Sequence, residues 1–163
     1  MKRFRTIVAD PPWPFEDKLP GPGRGAAKHY ACMSIEELCS LELPPLEDDC
    51  TLLLWRVASM QPEAVVVASS WGFTVKSELV WCKVNAAGEP RIGMGRTVRN
   101  AHEVALICTR GRPLFRDRSV PSWFTAPRGR HSEKPEAFYR LVERLADGPY
   151  VELFGRRLRR GWT

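Results

Sequence analysis

With 163 residues, 44% of them hydrophobic, the chain has enough apolar material for a real core and is expected to form a single domain over 1–163. No stretch approaches the ~20 apolar residues of a membrane span, and Met1-Lys2-Arg3-Phe4-Arg5 lacks the apolar run of a signal peptide, so a cytoplasmic protein without membrane contact is expected. Lys and Arg number 25 against 19 Asp and Glu, a net charge of +6 that favours a polyanionic partner.

Phe4 to Ala9 is a short apolar run that reads as a β-strand, and Asp10-Pro11-Pro12-Trp13 follows it directly. Pro14 to Gly25, rich in Pro and Gly, reads as a surface loop and a candidate lid, closed by His29 and Tyr30. Ser34-Ile35-Glu36-Glu37 is a capping-box pattern that opens a helix to about Leu41. Thr51 to Trp55 has the length of a buried strand. Pro62 starts a helix through Ala64 to Ser70, stopped at Gly72, and Phe73 to Lys83 is the next strand.

Asn85 to Asn100 is a second loop. Its Gly93-Met94-Gly95 lacks the third glycine and following helix of a dinucleotide fingerprint. His102 to Thr109 is another apolar strand, and Gly111 to Arg130 a basic loop with a strand around Trp123. Ser132 or Lys134 starts the last helix, whose apolar stripe is Ala137, Phe138, Leu141, Val142 and Leu145. Tyr150 to Phe154 is the final strand. Strands alternating with helices and loops predict an α/β fold with a largely parallel sheet.

Five cysteines with no Cys-x-x-Cys, and three histidines far apart in sequence, give no expectation of a disulfide framework or a metal site. The chemistry gathers instead at Asp10-Pro11-Pro12-Trp13, which would sit at the carboxyl end of a strand, where open α/β sheets bind ligands. A Pro-Pro step offers rigid carbonyls, Asp10 a short carboxylate and Trp13 a flat face for a base. Together these suit an aromatic amine: Asp10 and the Pro11 carbonyl would hold its N–H groups and free its lone pair. The bland alternative is a strand-ending turn, since Asp-Pro is a common turn opening.

Arginines cluster at Arg110, Arg112, Arg116, Arg118, Arg128 and Arg130 and again at Arg156, Arg157, Arg159 and Arg160. If both groups flank the Asp10 cleft they form a positive rim that grips phosphates. The bland reading is a solvated charge run.

The chain resembles the MT-A70 family of S-adenosylmethionine-dependent adenine N(6)-methyltransferases, related to the catalytic subunit of the messenger-RNA adenosine methyltransferase. The resemblance spans nearly the whole chain: Asp10-Pro11-Pro12-Trp13, His29-Tyr30 before Met33-Ser34, Leu54-Trp55, Trp71-Gly72-Phe73, Val80-Trp81-Cys82-Lys83, Gly95-Arg96 through Arg99-Asn100-Ala101-His102-Glu103, His131-Ser132-Glu133-Lys134-Pro135 and Glu152-Leu153-Phe154-Gly155-Arg156 with Gly161-Trp162. It implies a permuted Rossmann-like class I methyltransferase fold with helices on both faces of the sheet. It also implies transfer of a methyl group from S-adenosylmethionine to the 6-amino group of adenine in nucleic acid, DNA ahead of RNA, without a metal. The catalytic residues would be Asp10, Pro11, Pro12 and Trp13. Cofactor contacts would come from Ala9, Asp10, Ser132, Lys134, Glu152, Phe154, Gly155 and Arg156, and substrate contacts from Trp13, Tyr30, Arg99, Asn100, His102, Arg128 and Arg130. Outside the family pattern, Lys134 would be a solvated helix residue and Arg156 part of a basic tail. The alternative function is a non-catalytic nucleic-acid-binding subunit; a homodimer or a partner subunit stays open.

Overall fold

The computed structural model describes residues 2–14, 32–93, 95, 97–129, 133–155 and 157–163. The elements are β1 (Phe4–Ala9), α1 (Ile35–Cys39), β2 (Leu46–Arg56), a 3-10 turn at Ala58–Met60, α2 (Gln61–Ser70), β3 (Thr74–Val84), β4 (His102–Arg110), β5 (Trp123–Pro127), α3 (Glu136–Leu145) and β6 (Tyr150–Leu153). The expected candidate lid, Pro14 to Gly25, lies almost entirely outside the described residues.

The six strands form one mixed sheet in the order β5-β3-β4-β2-β1-β6. β1 pairs in parallel with β2 and β6, and β3 with β5, whereas β4 runs antiparallel to both β2 and β3. Five strands therefore end at one edge of the sheet, and β4 begins there. The sheet is mostly parallel, as expected, with β4 as the exception. Among the described residues no helix lies between β3 and β4, so the connection is a hairpin rather than the crossover that two parallel strands need. Its base is tied by the Lys83 N–H donating to the Ala101 carbonyl and the Arg91 N–H to the Lys83 carbonyl, each 2.8 Å.

Alternating side chains divide the core into two layers. On one face Ile7, Ala9, Leu52, Leu54, Leu106 and Cys108 pack against α1 and α2 through Leu38, Ala64, Val67 and Ala68. On the other, Val8, Leu53, Trp55, Leu79, Trp81 and Ala105 pack against α3 through Phe138, Tyr139 and Val142. The helices thus cover both faces, consistent with a Rossmann-like methyltransferase fold. β2 is buried on both sides, which is why its centre reads as an unbroken apolar run.

Local chemistry explains the boundaries. Ser34 caps α1 with its full capping box, the Ser34 side chain accepting from the Glu37 N–H and the Glu37 carboxylate from the Ser34 N–H. Pro62 lies in the first turn of α2, and Gly72, at φ +81°, turns the chain out of it. The Trp71 indole N–H donates to the Leu38 carbonyl at 2.8 Å and joins α2 to α1. β2 begins earlier than expected because Leu46 pairs with Phe4 of β1, although Glu47, Asp48 and Asp49 do not read as strand. α3 begins later than expected, with Pro135 as its N-cap, and adds Tyr139 to the apolar face. At the far edge Trp162 and Thr163 lie along β6: the Glu152 N–H donates to the Thr163 carbonyl and the Thr163 N–H to that of Tyr150. No described helix is long and apolar enough to cross a membrane.

The α3 layer depends on Phe138, fully buried 4.6 Å from the Trp55 ring centre. Phe138→Ala should cost about 3–5 kcal/mol, as truncations of large core aromatics do, read as a lower urea midpoint with an unchanged slope.

Candidate active site

The carboxyl edge of the sheet, on the α3 face, carries a row of polar side chains. Register fixes the row. Trp81 of β3 pairs with Glu103 of β4, Ala105 with Trp55 of β2, and Val8 of β1 with Glu152 of β6. Lys83 shares the Trp81 side of β3, and Asp10 follows β1 two residues after Val8. Lys134, from the segment that enters α3, lies across this row.

Lys134 is the centre. Its ammonium is 2.8 Å from Asp10 Oδ2, 3.1 Å from Glu103 Oε2 and 4.7 Å from the centre of the Trp55 ring. Its side chain is only 9% exposed. Glu103 turns its other oxygen, Oε1, to Lys83 at 2.6 Å. Burial works against the charged ammonium of Lys134, but Asp10 and Glu103 outweigh it and raise its pKa above the ordinary lysine value. Burial likewise pushes the Glu103 carboxyl up, and Lys134 and Lys83 together more than offset it, so it lies below its ordinary value.

Glu152 extends the row. Its Oε1 accepts the Tyr139 hydroxyl at 2.6 Å. Burial pushes its carboxyl above the ordinary value, with Tyr139 and Arg159 acting the other way. Beyond it lies a cavity of about 220 Å³ lined by Glu152, Gly155, Arg157, Arg159 and Trp162 among others. That is below the roughly 300–1,000 Å³ of typical small-molecule pockets, so it has room for one part of a ligand rather than a whole one. A Cβ on Gly155 would meet Glu152 Cγ at 2.9 Å, so only glycine lets the backbone come this close. Phe154 before it has φ 66°, a strained conformation for a non-glycine residue. The donor set suits a ligand with both a carboxylate and hydroxyls. The two partners of Lys134 leave one of its three N–H groups unused among the described residues, and Glu152 is an acceptor for a hydroxyl.

Several expected positions stand differently. Trp13 is 3% exposed, sits in the α1/α2 core layer and donates its indole N–H to the Trp55 carbonyl at 2.9 Å. It anchors the turn after β1 and has no open face for a base. The Pro11 carbonyl accepts the Trp13 N–H at 2.9 Å and the Pro12 carbonyl the Met33 N–H at 3.0 Å, so each prolyl carbonyl already has one donor. His102 alternates onto the α1/α2 face with Val104 and Leu106, away from Asp10, and its neighbour Glu103 takes the place beside Lys134. Ala9 is buried between β2 and β6 and places Asp10. Arg99 and Asn100 are exposed in the approach to β4, and Arg128 follows β5, all at the carboxyl edge. Tyr30, Arg130, Ser132 and Arg156 lie outside the described residues.

The positive rim divides. β4 ends at the opposite edge of the sheet, so Arg110, its last residue, lies there and Arg112, Arg116 and Arg118 follow. Arg116 donates its backbone N–H to the Leu145 carbonyl at the far end of α3 and pairs with Asp147 at 3.4 Å. In the tail, Arg157 pairs with Glu133 and Arg159 with Glu136, and the Arg159 guanidinium lies 3.5 Å over the Tyr139 ring. These two arginines brace the start of α3. Trp123, 57% exposed, is at the amino end of β5 and also far from Asp10.

Glu103, Lys83 and Trp55 are the site members that motif reading left without a role. Strand alternation offers a signal for two of them, since Glu103 has the parity of Ala105 and Lys83 that of Trp81. Because Glu103 titrates below its ordinary value when folded, its stabilising contribution is present above the unfolded value of about 4.3 and is lost as pH falls through the lower folded value. Glu103→Gln should therefore flatten the acid side of the stability curve, measured as urea midpoints between about pH 3 and pH 7. Wild-type and variant curves that stay parallel there would remove the linkage.

The MT-A70 family model matches residues 4–163. The chain is 31% identical to the N(6)-adenosine-methyltransferase MT-A70-like protein of Drosophila melanogaster over 94% of its own length, and 29% identical to the human N(6)-adenosine-methyltransferase catalytic subunit METTL3 over the same share. It spans only 24% and 26% of those two proteins. It is also 29% identical to the Type II methyltransferase M.MunI of Mycoplasma sp, covering 99% of this chain and 76% of that protein. With its model matched from the first strand to the last residue, the chain belongs to the MT-A70 family.

Proposed function

We propose that the chain transfers a methyl group from S-adenosylmethionine to the 6-amino group of adenine in nucleic acid. The observation that carries this reading is Asp10, a half-buried carboxylate at the carboxyl end of β1 with Oδ2 fixed by Lys134 at 2.8 Å. Oδ1 has no hydrogen bond among the described residues and is the acceptor left for an amine N–H. Membership of the MT-A70 family and the names of the relatives support the same chemistry.

The amine of adenine is a poor nucleophile because its lone pair is shared with the ring. Asp10 accepts one of its N–H groups and favours the geometry in which that pair is localised. The second lone pair of the Pro11 carbonyl is the candidate acceptor for the other N–H. The cofactor supplies an activated sulfonium methyl, so the protein's share is alignment and exclusion of water. The third N–H of Lys134 is the candidate for the cofactor's carboxylate, with Glu152 and the cleft at Gly155 for its ribose. A duplex adenine would have to be extruded or offered single-stranded.

We place DNA ahead of RNA; the chain's 76% coverage of the type II methyltransferase, against about a quarter of the adenosine methyltransferases, supports that order without deciding it. The rival reading, a non-catalytic binding subunit, is disfavoured by the intact Asp10–Lys134 pair.

The test is incubation with methyl-labelled cofactor and single-stranded DNA, duplex DNA or RNA, followed by nucleoside mass spectrometry. Labelled N(6)-methyladenine, mostly in DNA, is the expected product. Asp10→Ala should abolish it while cofactor binding stays measurable, and Asp10→Asn should also be poor because an amide is a weaker acceptor. No transfer by the wild-type protein to any substrate would overturn the reading in favour of the binding subunit.

A further inference from the structure

We infer that Lys83 is a positioning residue for Asp10, acting through Glu103 and Lys134 without touching the reacting atoms. What Asp10 does rests on the methyltransferase reading; the relay itself rests on geometry alone.

Lys83 is held in one place. Its backbone N–H and carbonyl are both bonded at the base of the β3–β4 hairpin. Its ammonium lies 5.4 Å from the centre of the Trp81 ring and its side chain is 17% exposed. From there it reaches Glu103 Oε1 at 2.6 Å, Glu103 Oε2 reaches Lys134 at 3.1 Å, and Lys134 reaches Asp10 at 2.8 Å. Charge alternates along the four groups and cancels across them.

Glu103 and Asp10 compete for one ammonium. Lys83 satisfies one oxygen of Glu103, so Lys134 can stay close to Asp10. Without Lys83 the remaining three groups carry a net negative charge in a largely buried place. Glu103 must then draw Lys134 towards itself or take up a proton, and in the first case Asp10 loses the contact that fixes it. Among the described residues, the charged groups facing Glu103 are Lys83 from β3, Lys134 from the segment before α3 and Asp10 after β1. Glu152 on β6 adds a further negative charge beyond Asp10, and β2 presents the uncharged Trp55. None of these replaces the lost cation.

Lys83→Met keeps a stem over Trp81 and removes the charge, and Lys83→Arg keeps the charge. The first measurement is a carbon-13 titration of the Glu103 carboxyl in the wild-type protein and both variants, without cofactor or substrate. The Glu103 midpoint should rise by about one pH unit or more in Lys83→Met, as loss of an adjacent opposite charge predicts, and stay near wild type in Lys83→Arg. The second is the pH dependence of kcat/KM for methyl transfer, whose acid limb should move up in Lys83→Met and return in Lys83→Arg. Lys83→Gln gives the same comparison where the Met variant does not fold. An unmoved Glu103 midpoint, or a uniform loss of activity with unchanged pH limbs, would overturn the inference. Absence of methyl transfer by the wild-type protein would sink the methyltransferase reading alone, because the titration still decides the relay.

Discussion

The carboxyl edge of the sheet depends on one ammonium, that of Lys134, held with little solvent between two carboxylates and over an indole face. A charge in such a place is costly unless it is paired and hydrogen-bonded, and removing one partner leaves the others stranded. The pairing in turn requires a particular topology. Asp10 must follow a strand that ends at this edge, Glu103 must begin one there, and Lys83 must lie near the end of the strand beside it. Five strands of one direction and a single reversed β4 meet that demand. An all-parallel sheet would put the start of β4, and with it Glu103, at the other edge.

The Asp10-Pro11-Pro12-Trp13 turn combines two tasks on opposite sides of the backbone. Trp13 enters the α1/α2 layer and is tied to the Trp55 carbonyl, while Asp10 turns to the α3 face. Trp55 serves both: its carbonyl holds Trp13 and its ring carries Lys134. The aromatic residue of the motif thus acts as an anchor that orients the carboxylate.

Much of this was legible in the sequence. The β1 run ended by two prolines, the Ser34 capping box and the β-rich segments gave nearly every element, because each rests on local chemistry. The reversal of β4 was less visible, since period-two alternation carries no direction; the missing helix between Lys83 and His102 is the clue. The choice between His102 and Glu103 depends on parity relative to a register that only tertiary pairing sets. The tail arginines misled for a related reason: Glu133 and Glu136 neutralise Arg157 and Arg159 across more than twenty residues of chain. Charge counted along a sequence ignores such partners.

The β3–β4 hairpin also bears on how such a protein acquires new specificity. Both of its ends are at the carboxyl edge, and its base is pinned by the backbone bonds of Lys83 with Ala101 and Arg91. Residues inserted between those bonds lengthen an excursion at the carboxyl edge while every strand keeps its register. Loop-closure entropy rises only with the logarithm of length, about 0.6 kcal/mol per doubling. The hairpin is thus a place where evolution or a designer can graft further segments at little thermodynamic risk to the sheet.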